Sequence, residues 1–232
     1  MPQKTLLLRL AGPLQSWGTS SRFTRRATDY APSKSGVLGM LAAAKGVRRT
    51  EPLTELLGVR FGVRIDQPGT MLRDYQTSRP LDDPTANAAL AERFYLADAV
   101  FLAAVEGDAS LIDGLEAALR RPRYQPFLGR RSCPPLYPIL KGTTRERLED
   151  ALEAHEWLAS AHHRCRHGAE VRLQAVRDAS PQERGDSVRD EPVSFDPRHR
   201  RYSWREVVRY TVDVRNPDEA VTAHDPFAFF GD

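Results

Sequence analysis

Val59-Arg60-Phe61-Gly62-Val63-Arg64-Ile65-Asp66 sets an apolar residue at every second position, with Arg, Gly, Arg and Asp between. A period of two puts Val59, Phe61, Val63 and Ile65 on one face of an extended segment, so the stretch predicts a half-buried β-strand. Upstream, residues 5–10 form a short apolar run that reads as a buried first strand, closed by the turn signal Ala11-Gly12-Pro13. A long loop with Trp17, Arg22, Phe23, Arg25, Arg26 and Tyr30 then leads to Pro32-Ser33. Ser33 is the N-cap of a helix predicted over 34–45 and stopped by Gly46, and Thr50 caps a short helix ending at Leu57.

Downstream, residues 70–97 break the rhythm. Met71-Leu72-Arg73-Asp74-Tyr75-Gln76-Thr77 reads as an extended arm, while 78–88 has loop composition around Asp82-Asp83-Pro84, so the segment is an insertion between strands. Residues 97–106 resume as an apolar strand, and Asp108 caps a helix with Leu111, Ile112, Leu115 and Leu119 on one face. Residues 136–141 supply a fourth strand. The order strand, helix, strand, strand, helix, strand is that of a ferredoxin-like unit, the layout shared by RNA-recognition modules (RRM-like). Beyond it, 143–160 reads as a helix with a charged face, and Val171, Leu173 and Ala175 alternate as a strand. Residues 179–191 are polar and read as mobile, and Val208, Tyr210, Val212 and Val214 mark a last strand. The expected fold is thus α+β: a ferredoxin-like domain over 1–145 with an insertion at about 70–97, then a smaller C-terminal helix and β-rich region over 146–232. The aromatic tail, His224-Asp225-Pro226-Phe227-Ala228-Phe229-Phe230, suits docking on its own domain or on a partner, and the sequence leaves both open.

A chain of 232 residues with 41% hydrophobic residues can bury a substantial core. Its net charge is only +3 and its isoelectric point about 9.0. Lysines are confined to Lys4, Lys34, Lys45 and Lys141, so the positive charge rests on arginine, the side chain suited to phosphate forks and base stacking. Cys133 and Cys165 are too few for a disulfide framework or a four-cysteine zinc site, which fits a reducing cytoplasm. The N-terminus lacks the pattern of a signal peptide and no stretch approaches a membrane span, so the expectation is a cytoplasmic protein with no membrane contact.

The densest chemical signal is Tyr124-Gln125-Pro126-Phe127-Leu128-Gly129-Arg130-Arg131-Ser132-Cys133-Pro134-Pro135, preceded by Arg120, Arg121 and Arg123. Guanidiniums grip phosphates, glycine allows close backbone approach, and aromatic faces stack on unpaired bases, so this loop suits RNA. Composition alone fits a solvated surface loop equally well. Lys34 and Ser35 open the first helix, where free N–H groups attract anions.

Four segments resemble, in order, the CasD family of subunits of Cascade, the type I-E CRISPR surveillance complex. They are Leu8-Arg9-Leu10-Ala11-Gly12-Pro13-Leu14-Gln15-Ser16-Trp17-Gly18, Pro32-Ser33-Lys34-Ser35-Gly36-Val37-Leu38-Gly39-Met40-Leu41, Leu72-Arg73-Asp74-Tyr75-Gln76-Thr77, and the run from Pro122 to Pro134. Past residue 145 only Val188-Arg189-Asp190-Glu191-Pro192 and the late strand match. The resemblance implies a ferredoxin-like fold of the repeat-associated RNA-binding superfamily with a thumb at 70–97. It further implies a noncatalytic subunit in antiviral defence that holds the 5′ handle of CRISPR RNA and caps the protein backbone of the complex. Implied partners are CRISPR RNA, the backbone and large subunits, and target DNA through the assembled complex; no cofactor or metal is implied. The RNA-binding residues expected on both grounds are Trp17, Arg25, Arg26, Tyr30, Lys34, Ser35, Arg73, Tyr75, Arg121, Tyr124, Phe127, Arg130, Arg131 and Ser132.

The competing class is a metal-independent CRISPR-repeat endoribonuclease, because relatives in this superfamily use histidine for proton transfer. Here His155, His162, His163 and His167 lie in the C-terminal half, and none falls in the first helix or the arginine loop. His162-His163-Arg164-Cys165-Arg166-His167 is too compressed for zinc spacing and reads as an exposed basic helix end. A free-standing regulatory RNA-binding protein is a third class.

Overall fold

The computed structural model describes residues 2–19, 25–83 and 85–218; Arg22, Phe23 and the aromatic tail lie outside them. Its elements are β1 (Gln3–Ala11), β2 (Leu14–Gln15), β3 (Arg25–Arg26), α1 (Lys34–Lys45), β4 (Arg60–Gln67), β5 (Thr70–Ser78), β6 (Ala89–Ala97), β7 (Val100–Asp108), α2 (Ala109–Arg120), β8 (Leu140–Thr144), α3 (Leu148–Ala154), α4 (Ala161–Arg164), β9 (Glu170–Asp178), β10 (Asp186–Ser194) and β11 (Arg201–Arg215). Seven strands form one sheet in the order β10-β11-β9-β4-β7-β1-β8, and β2, β3, β5 and β6 form a smaller one. Every pairing within the larger sheet is antiparallel. No helix among the described residues is long and apolar enough to cross a membrane.

Both faces of the larger sheet are covered, which explains why residues 5–11 are apolar without alternation. Leu6, Leu8 and Leu10 of β1 join Phe61, Val63, Phe101, Ala103 and Val105 under α1 and α2. Leu7, Ala11, Val100, Leu102 and Ala104 pack on the other face against Leu148, Ala151 and Leu152 of α3. The helix termini follow their capping residues. Ser33 Oγ accepts from Gly36 N, Gly46 closes α1 in the left-handed region at φ 93°, and Asp108 accepts from Ser110 N at the start of α2.

Strand β4 departs from the expected half-burial. Leu148 and Leu152 lie over Gly62, where a Cβ would stand 2.7 Å from Leu148 Cδ2. Arg64 and Asp66 are both fully buried. Arg64 donates to both Asp66 oxygens (2.8 and 2.9 Å) and to the carbonyls of Leu152, His155 and Glu156, so each of its guanidinium nitrogens has a role in pinning the chain after α3. The polar half of the alternation therefore faces a second layer rather than water.

Other boundaries shift for similar reasons. The short helix after Thr50 is a single 3-10 turn over Thr54–Leu56 with no side-chain cap. The fourth strand starts only at Leu140, and it takes the first residues of the helix expected over 143–160, leaving α3 to begin at Leu148. Residues 179–191, expected to be mobile, carry β10 from Asp186 onward, because their polar side chains find partners within the fold: Asp190 is 2% exposed. The C-terminal strands continue the larger sheet through pairing of β9 with β4.

Candidate nucleic-acid interface

The arginine loop is locked onto the segment after β1. Ser16 N donates to Leu128 O (3.1 Å), Leu128 N to Cys133 O (2.8 Å), and Cys133 N to Arg130 O (2.9 Å), closing a turn with Arg130, Arg131 and Ser132 at its outer side. Gly129 sits at φ +82°, and a Cβ there would lie 1.7 Å from Ser16 O, so only glycine permits this approach. Cys133 is fully buried, and burial pushes its thiol up, which makes it a packing residue. Arg131 and Ser132 are exposed, whereas Arg130 is half-buried. Its Nη2 donates to Arg26 O at 2.9 Å, and its guanidinium lies 4.8 Å from the Tyr95 ring centre.

That bond ties the loop to the smaller sheet. Register sets Arg73 opposite Phe94, Tyr75 opposite Glu92 and, across the other edge of β6, Arg25 opposite Glu92. Residues paired across a sheet share a face and alternate ones change face, so Arg25, Arg73, Tyr75 and Phe94 lie together on one side. The guanidinium of Arg25 stands 5.2 Å from the Phe94 ring, and that of Arg73 4.3 Å from Tyr75, which is 48% exposed. The opposite side carries Arg26, Arg93 and Tyr95 with Arg130 above them. Two nitrogens here, Arg93 Nε and Arg130 Nη1, are buried without a hydrogen-bond partner among the described residues. Neither Arg93 nor Phe94 belongs to the set expected from the sequence. Their signal is the basic-aromatic run Arg93-Phe94-Tyr95, hidden within a segment that reads as an insertion.

Two expected RNA-binding residues are corrected by their burial. Trp17 is 1% exposed, packs against Gly36 of α1, and donates its indole N–H to Gln15 Oε1, so it is a core residue and offers no face to a base. Lys34 is 4% exposed, with Nζ paired to Asp178 (3.1 Å) and Glu191 (2.7 Å). The anion at the start of α1 is supplied from within: Asp190 Oδ2 accepts from Lys34 N at 2.7 Å. Ser35, half-buried beside Lys34, thus stands at a helix end already satisfied. Asp190 also binds Arg205, which reaches Asp178, and burial pushes the Glu191 carboxyl up against the pull of Lys34. Lys34, Asp178, Glu191 and Arg205 line a cleft of ≈ 840 Å³, with Arg147 and Glu206 also on its wall.

Tyr124 is exposed and belongs to the far end of α1, where Tyr124 N and Arg123 N donate to Ala43 O and Ala44 O. A helix of 12 residues spans roughly 18 Å, which separates Tyr124 and the exposed Arg121 from Lys34 by about that length. Phe127 is half-buried in the locked loop, and Tyr30 is 68% exposed just before α1. The histidine run is the basic end of the short α4, with His162, Cys165 and Arg166 exposed as expected, while His163 and His167 are half-buried and pack edge-on to Trp157 with centroids 5.8 and 5.5 Å away. Burial, then the charge of His167, pushes His163 below its ordinary value. Among the described residues no group of three or more His, Cys, Asp or Glu is placed to hold a metal ion.

A family model described as CRISPR-associated protein (Cas_Cas5) matches residues 5–208. The chain belongs to the Cas5 family. It is 39% identical to the CRISPR system Cascade subunit CasD of Escherichia coli (strain K12) over 157 residues, 60% of this chain and 70% of that one. Among solved structures it is similar to a chain of a CRISPR RNA-guided surveillance complex, with a TM-score of 0.74 at 34% identity over 91% of both chains. A structure described as Cas protein matches with a TM-score of 0.70 at 35% identity, over 91% of this chain and 98% of the other. In this Cas5 protein the family-like segments 8–18, 32–41 and 122–134 meet around Trp17, Gly36 and Gly129, and 188–192 joins them through Asp190.

Proposed function

We propose that this chain is a noncatalytic subunit of a type I-E Cascade complex, holding the 5′ handle of CRISPR RNA and capping the protein backbone of the assembly. The observation that carries the reading is the pair of guanidiniums, Arg93 and Arg130, on the side of the small sheet that meets the arginine loop, each with one buried nitrogen that has no hydrogen-bond partner among the described residues. A buried unpaired N–H costs roughly 1–3 kcal/mol, a cost that a phosphate oxygen reached by a small side-chain shift would remove. The stacked pairs Arg25–Phe94 and Arg73–Tyr75 beside them are the kind of surface on which unpaired bases stack. Similarity to the E. coli Cascade subunit CasD supports membership of such a complex.

The fold reading that goes with it is a ferredoxin-like domain with the β5–β6 hairpin as thumb, followed by a C-terminal region from residue 146. The strand order β8-β1-β7-β4, with α1 and α2 as crossovers on one face, supports it. The partners that follow are CRISPR RNA, the backbone and large subunits and, through the complex, target DNA. The noncatalytic reading rests on where the imidazoles are: His163 and His167 are packed on Trp157, away from the arginine loop. The test is incubation of the purified protein with its repeat RNA, with and without divalent metal. A stoichiometric, salt-sensitive complex with intact RNA is expected; a specific cut, abolished by Tyr30→Phe or His162→Ala, would replace the proposal with the endoribonuclease.

A further inference from the structure

The β10–β11 hairpin ends in Arg198-His199-Arg200-Arg201, all exposed, and none of these arginines makes an ion pair among the described residues. Its base is fixed. Asp190 holds Arg205 and the start of α1, and Phe195 lies over Gly39, where a Cβ would stand 3.4 Å from Phe195 Cζ, so the hairpin is anchored below its tip. Next to it stands Trp204, 64% exposed. Register breaks between Val188 and Glu191, leaving Arg189 and Asp190 together opposite Trp204. Asp190 turns inward, and Arg189 is exposed, with Nε reaching Tyr202 O at 3.4 Å. The exposed indole thus lies across from Arg189 on the outer side of the hairpin, whose tip carries Arg198 and Arg200. The nearby acids are Asp196, whose Oδ1 is occupied by Arg198 N, and Glu206.

We infer that the outer side of this hairpin, Trp204 with Arg189 and the tip arginines Arg198 and Arg200, is a second binding surface for single-stranded nucleic acid, separate from the arginine loop. Charge decides the class of partner: unpaired arginines beside an aromatic plane fit a phosphate chain whose bases stack on the indole. The inference does not rest on the handle reading, since it uses no residue of that surface.

Tryptophan fluorescence isolates the site. Of the three tryptophans, Trp17 and Trp157 are each 1% exposed, so acrylamide-accessible emission belongs to Trp204. Titrating the full chain with unlabelled oligo(U) and, separately, oligo(dT) is expected to quench that emission saturably; the stronger arm identifies RNA or DNA as the source. Arg130→Ala/Arg131→Ala should leave the quench in place. Labelled-strand anisotropy in that background should weaken by about fivefold or more with Trp204→Ala and recover with Trp204→Phe. Arg198→Ala/Arg200→Ala should lower the salt slope by ~0.7 for each phosphate no longer neutralised. Emission shielded from acrylamide in the free protein, or unmoved by both strands, overturns the inference. So does a Trp204→Ala chain that binds both strands normally but fails to join its partner subunits, which would make this face a protein interface.

Discussion

Arg130→Ala and Arg131→Ala should behave differently, although the sequence presents them as equivalent surface charges whose loss leaves folding unchanged. Arg131 is exposed with no partner among the described residues, so its removal should lower the single-strand salt slope by ~0.7 and leave the melting temperature alone. Arg130 instead spans two elements. Its Nη2 bond to Arg26 O at 2.9 Å is a charge-assisted bond of the kind worth roughly 1.5–3 kcal/mol, and its position over Tyr95 adds about 0.5–1 kcal/mol. Relief of the unpartnered Nη1 offsets part of this, leaving a net destabilisation of about 2 kcal/mol. For a chain of this length that lowers the melting temperature by roughly 4–8 °C. The assay is scanning fluorimetry of the two single variants and the double one, beside fluorescence anisotropy with repeat RNA over a range of salt. The double variant should melt with Arg130→Ala and show the sum of the two slope changes. If Arg130→Ala melts with the wild type and changes the slope no more than Arg131→Ala, the bond to Arg26 does not exist in solution and the locked-loop account is wrong.

Arg64→Met should destabilise by about 3–5 kcal/mol, read as a lower urea midpoint, because it strands the fully buried Asp66 carboxylate; little change would mean that water reaches this pair. Asp190→Asn should cost about 3 kcal/mol in the same assay while leaving RNA affinity intact, since it removes the charge that pairs with Arg205 and faces the start of α1. Replacing residues 79–88 by a two-residue turn should leave the melting temperature unchanged, because the described part of this tip is exposed or half-buried and outside the hydrophobic clusters; insolubility of the shortened chain would place it in the core. His163 is held below its ordinary 6.5, so the unfolded chain binds the proton more readily and stability falls as pH drops through that window. Melting at about pH 5.5 against about pH 7.5 should therefore be less pH-sensitive in His163→Gln, and an unchanged difference would remove His163 from the account.

Local signals were legible where a single residue decides the structure. Ser33, Gly46 and Asp108 mark their helix ends because a cap is a bond between a side chain and a backbone group within a few positions. The face of α2 was legible too, since Ile112, Leu115 and Leu119 repeat at helical spacing. What the sequence hid depends on segments far apart in the chain. Nothing near Arg64 announces that carbonyls 88 to 92 residues later will cover it. Nothing in the mostly polar residues 179–191 shows that Asp190 will be buried against Lys34, 156 residues earlier. The candidate site divides the same way. The exposed Arg131 and Tyr75 could be named from residue type, but Arg93 and Phe94 gain their place only from the pairing of β6 with β3 and β5.

The case of Lys34 shows why a motif does not by itself make a binding site. A lysine, a serine and a glycine at the start of a helix are the composition of an anion site, and in this fold the site is filled. Its anion is the Asp190 carboxylate, held in turn by Arg205, with Lys34 Nζ drawn aside to Asp178 and Glu191. For a phosphate to enter, it would have to displace a buried carboxylate and leave Arg205 with one partner instead of two, a change that works against the roughly 3–5 kcal/mol cost of breaking a buried pair. The segments 32–41 and 188–192 therefore belong together as two halves of one internal joint. The guanidiniums left incompletely satisfied among the described residues are elsewhere, at Arg93 and Arg130, beside the exposed arginines and aromatics of the small sheet proposed to contact RNA.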